Sequence, residues 1–111
     1  AFHLGGFLNN KLVCIGSFFK QKNTQFSEKN QYRLRAMATL ASAQKHGVAK
    51  ALLNFAFEKL INLNQEILWC DARLVAIGFY EKIGFTKQGE MYEIPLIGHH
   101  FLMCKSLKLN S

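Results

Sequence analysis

Gln44, Gly47 and Ala49, in the spacing Gln-x-x-Gly-x-Ala, open a helical pattern that runs on to Leu60. The first turn of a helix leaves several backbone N–H groups without internal partners, and the macrodipole adds partial positive charge. Gly47 and Ala49 keep side chains out of the way, so an anion can approach the amides of Gly47, Val48 and Ala49 closely. Lys45, His46 and Lys50 bring cationic or protonatable groups to the same short stretch. Positive charge there opposes the macrodipole and calls for a bound anion; the alternative is an exposed first turn with ordinary solvated charge. A pyrophosphate is the natural occupant, so a nucleotide-bearing cofactor is the first expectation.

The elements that must hold this turn can be read on either side of it. Tyr32 to Leu40 alternates as a strand, with Tyr32, Leu34, Ala36, Ala38 and Leu40 expected on one face and Arg33, Arg35, Met37 and Thr39 on the other. The helix after Gly47 has an apolar stripe through Val48, Ala51, Leu52, Phe55, Ala56 and Leu60, widened by Leu53 and Phe57, and a polar line at Lys50, Asn54 and Glu58. Ile67 to Cys70 reads as a short buried strand, giving a βαβ unit with parallel strands and a right-handed crossover.

Ahead of this unit, Phe2 to Leu8 and Leu12 to Phe19 read as a hairpin turning at Asn9-Asn10, and residues 20–31 as a mobile surface connection. Behind it, a helix is expected over Arg73 to Ile83, stopped by Gly84. Strands Phe85 to Ile94 and His100 to Leu107 follow, joined through Pro95 to Gly98. The class is α/β or α+β with a mixed sheet, in one domain covering residues 1–111.

Composition narrows the partners. Half the residues are apolar and 10 are Phe, which suits a packed core and argues against disorder. No apolar run approaches the ~20 residues of a membrane helix, and no secretory segment opens the chain. Cys14, Cys70 and Cys104 lie in apolar strand-like runs rather than at metal-ligand spacing, so reduced thiols, no metal and a cytoplasmic address are expected. The net charge is +7, and its excess sits between Lys20 and Lys50, where Lys20, Lys22, Lys29, Arg33, Arg35, Lys45 and Lys50 face a single acid, Glu28. A polyanionic cofactor or a nucleic acid would explain it, although no zinc-finger spacing or RNA-recognition signature is present.

Three segments now carry a resemblance. Gln44-x-x-Gly47-x-Ala49 resembles the pyrophosphate signature of the GNAT superfamily of acetyl-CoA-dependent N-acetyltransferases, and Gly78-Phe79-Tyr80-Glu81-Lys82-Ile83-Gly84-Phe85 resembles its second hallmark on the following helix. Leu68-Trp69-Cys70-Asp71-Ala72-Arg73 is similar to a strand end in small bacterial members. The resemblance spans about residues 1–107 and implies an α+β, mostly antiparallel sheet with a central parallel βαβ unit, the acyl-CoA N-acyltransferase fold. It also implies a first strand and two helices ahead of Phe2, which build one wall of the acceptor site. Their lack here leaves three alternatives open: a fragment, a wall supplied by a second subunit, or a shortened relative. A homodimer is expected because sheet edge and apolar surface would otherwise be uncovered.

By that resemblance the co-substrate is acetyl-CoA, its arm lying between strands that splay near Leu40 and Asp71, with Met37, Ala38 and Thr39 pairing its amides. Gln44, Lys45, His46, Gly47, Val48, Ala49 and Lys50 would hold the diphosphate, and Phe79 would complete the cofactor site. Tyr80 is the expected acid, since a phenol of ordinary pKa about 10 stays protonated at neutral pH and can donate to a departing thiolate; a buried core tyrosine is the alternative. Asp71 would bind the ammonium of an amine acceptor, take its proton, contact the cofactor, or cap the next helix. A base could also be water, Glu93, His3, His99 or His100. The adjacent pair His99-His100 points to opposite faces of a strand and does not indicate a metal. A non-catalytic CoA-binding or basic nucleic-acid-binding module is the rival reading.

Overall fold

Asn9 and Asn10, both left-handed at φ 52° and 64°, make the two-residue turn that joins strands β1 (Phe2–Leu8) and β2 (Lys11–Lys20). Positive φ at both positions matches the right-handed twist of the flanking strands, and Asn tolerates it better than most residues. The computed structural model describes residues 1–108. After the hairpin come β3 (Gln31–Thr39), α1 (Val48–Asn62), β4 (Ile67–Arg73), α2 (Ile77–Lys82), β5 (Thr86–Ile94) and β6 (Gly98–Ser106). They form one six-stranded sheet in the order β1-β2-β3-β4-β6-β5. Among the described residues only β3 and β4 pair in parallel, as the βαβ reading requires, and α1 is their crossover.

Both helices lie on one face of the sheet. Leu52, Leu53, Ala56, Phe57 and Leu60 of α1 pack with Phe18, Leu34, Leu68, Cys70 and Met103, and Tyr80 and Phe85 close the same core. Close approach of α1 to β1 depends on Gly6, where an added Cβ would lie 2.5 Å from Val48 Cγ1. Phe55, expected on the buried stripe, is 61% exposed. It shares a line on the helix surface with Ala51 and Lys59, both exposed, so the apolar stripe turns away from it.

The opposite face buries Ile67, Trp69 and Leu102 under Phe26. The connection over residues 20–31, read as a mobile surface segment, is therefore pinned on that face. The Gln31 side chain accepts from Asn23 N at 2.7 Å and donates to the Glu28 carbonyl at 2.7 Å.

Two strand boundaries move, with consequences. β3 pairs Phe18 with Leu34 but Ser17 with Ala36, so Arg35 is an extra residue and the alternation slips there. Met37 and Thr39, expected opposite Leu34, instead share its helix-covered face, where Met37 packs against the core and Thr39 Oγ1 donates to Cys14 Sγ at 3.2 Å. Ala36 and Ala38 turn outward and are exposed. β4 runs three residues beyond Cys70 because β6 pairs with it as far as Arg73↔His100. A 3-10 turn at Leu74–Ala76 then precedes α2, so the second helix is shorter than expected and Asp71 is a strand residue rather than a helix cap.

Candidate active site

β3 and β4 pair only over Gln31–Arg33 and Ile67–Trp69. Beyond that both strands continue, β3 to Thr39 and β4 to Arg73, each held on its outer side by β2 and β6. The two inner edges diverge into a slot. Along it, the inward main-chain groups of β3 after Arg33 have no strand partner among the described residues. Unpaired strand edges of this kind accept an extended chain of amides.

At the mouth of the slot the chain winds into α1. Lys45 and Gly47 are left-handed at φ 71° and 76°, and Gly47 is the N-cap residue with no side-chain cap. The first helical bond is Ala51 N to Gly47 O at 3.0 Å, so the amides of Val48, Ala49 and Lys50 lack intrahelical acceptors. No acid sits in the first turn to offset them. A Cβ built on Gly47 meets nothing within 4 Å, so the space before these amides is open. Successive amides in left-handed turns form concavities that bind anions, and the helix N-terminus reinforces them.

This turn and the slot share a cavity of about 700 Å³. Met37, Thr39, Gln44, Lys45, Gly47, Val48, Ala49 and Lys50 line one side, and Phe79, Tyr80 and Lys82 the other. Ten of the expected site residues are thus brought together across 44 positions of chain, from Met37 to Tyr80. His46 and Ala38 do not line the cavity; both are exposed. Gly47 is thus placed for its backbone, and Lys45 and Lys50 supply the charge.

Tyr80 has its ring buried against Phe79 and Phe85 at centroid distances of 5.2 and 5.1 Å. Its hydroxyl has no hydrogen-bond partner among the described residues, yet it is not among the sealed polar atoms, so it opens to the cavity. Burial pushes the phenol above its ordinary 10.0, and the Cys70 thiol adds to the shift. Tyr80 therefore carries its proton throughout the physiological range. Burial, with Asp71 and Cys104 adding to it, also pushes Cys70 up to about 12, although Arg33 works in the other direction. A thiol so protonated is a poor nucleophile.

Asp71 stands on the other face of the sheet, with Ile67 and Trp69, and does not line the cavity. Its Oδ2 accepts from Arg33 Nη2 at 2.7 Å, and its Oδ1 accepts from the Tyr92 hydroxyl. Arg33 lies over the Trp69 ring at 4.9 Å, and Trp69 Nε1 donates to the Gln21 carbonyl at 3.0 Å. The Arg33 Nε is buried without a partner, and the adjoining indole face offers it weak compensation. Arg33 and Tyr92 were not singled out by sequence. Their signal, one basic and one aromatic residue on strands far apart in the chain, is too common to stand alone. His3 on β1 bonds Ser17 on β2 at 2.8 Å, His99 faces Glu93 at 3.6 Å, and His100 Nδ1 bonds the Gly98 carbonyl at 2.8 Å. Among the described residues no group of His, Cys, Asp and Glu could hold a metal ion.

An acetyltransferase (GNAT) domain model matches residues 7–87. The chain belongs to the GNAT acetyltransferases. It is 38% identical over 108 residues to the uncharacterized N-acetyltransferase YitI of Bacillus subtilis, covering 97% of this chain and 72% of that one. The GNAT fold is shared with an aminoglycoside 6'-N-acetyltransferase solved with coenzyme A, at TM-score 0.80 and 12% identity over 98% of this chain and 74% of that one. The ribosomal-protein-S18-alanine N-acetyltransferase of Escherichia coli superposes at TM-score 0.71 with 20% identity, covering 95% and 68%. This GNAT chain is accordingly an acyltransferase enzyme, and acetyl transfer is its general chemistry. None of its helices is long and apolar enough to cross a membrane among the described residues.

Proposed function

We propose that this chain transfers the acetyl group of acetyl-CoA directly to a primary amine. The observation that carries this reading is the uncapped, left-handed turn at Gly47, opening on a cavity that runs past Met37 and Thr39 to Tyr80. The amides of Val48, Ala49 and Lys50, with the Lys45 and Lys50 side chains, would hold the diphosphate. The free inner edge of β3 at Met37, Ala38 and Thr39 would take the amides of the pantetheine arm, and Phe79 would pack beside it. Acetyl-CoA, when bound, supplies an acetyl group activated as a thioester.

The chain's residues then orient and move protons. The ammonium must lose a proton to solvent before attack; Asp71 would hold it on the far side of the slot. As the C–N bond forms and the C–S bond breaks, the nitrogen gives its second proton to solvent, the leaving sulfur gains one from Tyr80, and solvent entering the cavity returns a proton to the phenolate. A thiolate leaving beside the same buried ring would be destabilised along with the phenolate, so the raised phenol remains a competent donor. The protonated Cys70 speaks against an acyl-enzyme. Cys70→Ala is expected to keep kcat within about threefold, measured by thiol release, with some loss of stability from the vacated core space. Loss of turnover with the fold intact would favour a covalent route.

Two measurements test the whole reading. Saturating acetyl-CoA, at about 100 times Kd, adds about 2.7 kcal/mol of apparent stability, which raises Tm by roughly 10 °C in a domain of this size. Thiol release across an amine panel should then rise above the protein-free rate. No shift with acetyl-CoA rejects the reading; a shift without release for any amine leaves only a CoA-binding module. The same reading places the chain in the cytoplasm, in keeping with its free cysteines, and in a homodimer that would cover edge strand β1 and exposed Phe7, Leu12 and Ile15.

A further inference from the structure

The basic excess between Lys20 and Lys50 divides between the two faces of the sheet. Lys45 and Lys50 line the cavity, whereas Arg33 and Arg35 rise from the opposite face. Arg33 is held by Asp71, but Arg35 lies exposed over the Phe19 ring at 5.8 Å. On the other bank of the slot, Arg73 follows Asp71 by two residues on the same strand face, roughly 7 Å along. It too is exposed. Strands β1 to β4 and β6 carry one acid between them, Asp71, already in contact with Arg33; Glu90 and Glu93 lie on the outer strand β5. The slot thus opens, on this face, between strands that each carry an exposed arginine with no acidic partner among the described residues, Arg35 on β3, whose guanidinium rests toward β2, and Arg73 on β4.

Access comes from the same side. α1 and α2 cover the cavity face of the sheet, where the Tyr80 ring is buried. On the far face Ala36 and Ala38 are exposed along the slot, and among the described residues no helix covers them. A substrate meeting an acyl group held in the slot would arrive over Asp71. Asp71 accepts one bond on each oxygen, and a carboxylate has about four lone-pair sites, so it retains capacity for an ammonium. Tyr92 and Arg33 hold that carboxylate in place.

Resting on the acetyltransferase reading above, we propose that the acceptor carries an anionic group, carboxylate or phosphate, close to its reacting amine, with Asp71 taking the ammonium and Arg35 and Arg73 taking the anion. Polycationic acceptors such as polyamines would meet these two exposed arginines unfavourably.

Binding to the protein saturated with CoA, which cannot react, tests this by calorimetry on matched probes. Glycine is paired with glycinamide, glucosamine 6-phosphate with glucosamine, and spermidine serves as the polycation. In at least one pair the anionic member should bind on the order of tenfold tighter, as two exposed ion pairs allow, and spermidine weakest. Which pair responds tells carboxylate from phosphate. In Arg35→Gln/Arg73→Gln the preference should fall below about threefold, with the Kd for CoA unchanged. Three results overturn the proposal: neutral members or spermidine binding as tightly as the anionic members, no anionic amine binding at millimolar concentration, or a preference that survives the double substitution. Failure of the acetyl-CoA reading appears separately, as no stabilisation by CoA, and the same probe pairs are then compared on the unloaded protein.

Discussion

Tyr80→Phe lowers kcat by a factor on the order of 10²–10³, while the Kd for CoA stays within about twofold. The size follows from losing one positioned proton donor in a site that still holds both substrates. The ring keeps its place between Phe79 and Phe85, so packing is preserved and only the hydroxyl is lost. The pH profile adds a second check. Because burial raises the Tyr80 phenol above 10.0, the wild-type rate has no descending limb from this group up to that pH. A low-pH limb is expected from the acceptor ammonium, which must be neutral to attack. Equal turnover by both proteins in steady-state thiol release, or a wild-type descending limb near neutrality, would remove Tyr80 from proton transfer.

Gly47→Val acts on the other end of the cavity and is expected to weaken CoA binding by at least about tenfold. A β-branched residue at φ 76° is strained by roughly 1–2 kcal/mol, so Tm also falls by several degrees. Gly47→Asn separates strain from occlusion. Asn tolerates the left-handed region, so Tm should stay within about 2 °C, yet its side chain projects into the open space where Gly47 has no neighbour within 4 Å. CoA affinity should still fall several-fold by calorimetry. Wild-type affinity in the Asn variant would mean that the space before Gly47 holds no part of the ligand.

These two variants touch features that were visible in the sequence, and for a common reason. The left-handed turn, the small residues after it and the helix of period 3.6 are set by residues within a few positions of one another. The same is true of the Asn9-Asn10 hairpin and of Gly84, left-handed at φ 101° as α2 ends. Departures began where a partner strand had a vote. Periodicity alone put Met37 and Thr39 opposite Leu34, but pairing with β2 inserted Arg35 as an extra residue and turned them into the cavity. Periodicity ended β4 at Cys70, but pairing with β6 carried it on to Arg73 and brought Asp71 into the sheet. Phe55 fitted an apolar stripe on a helical wheel, yet the sheet lies on the other side of α1.

By itself the sequence determined a βαβ unit, an uncapped helix start with small residues and a tyrosine on the next helix, because each depends on local backbone preference and burial period. Tertiary structure decided how far β3 and β4 run together, and so where a slot opens. It also decided that Asp71 meets Arg33 across 38 residues and Tyr92 across 21. Such contacts are made between strands that are neighbours only in the folded sheet, and register between distant strands is written in no short stretch of chain.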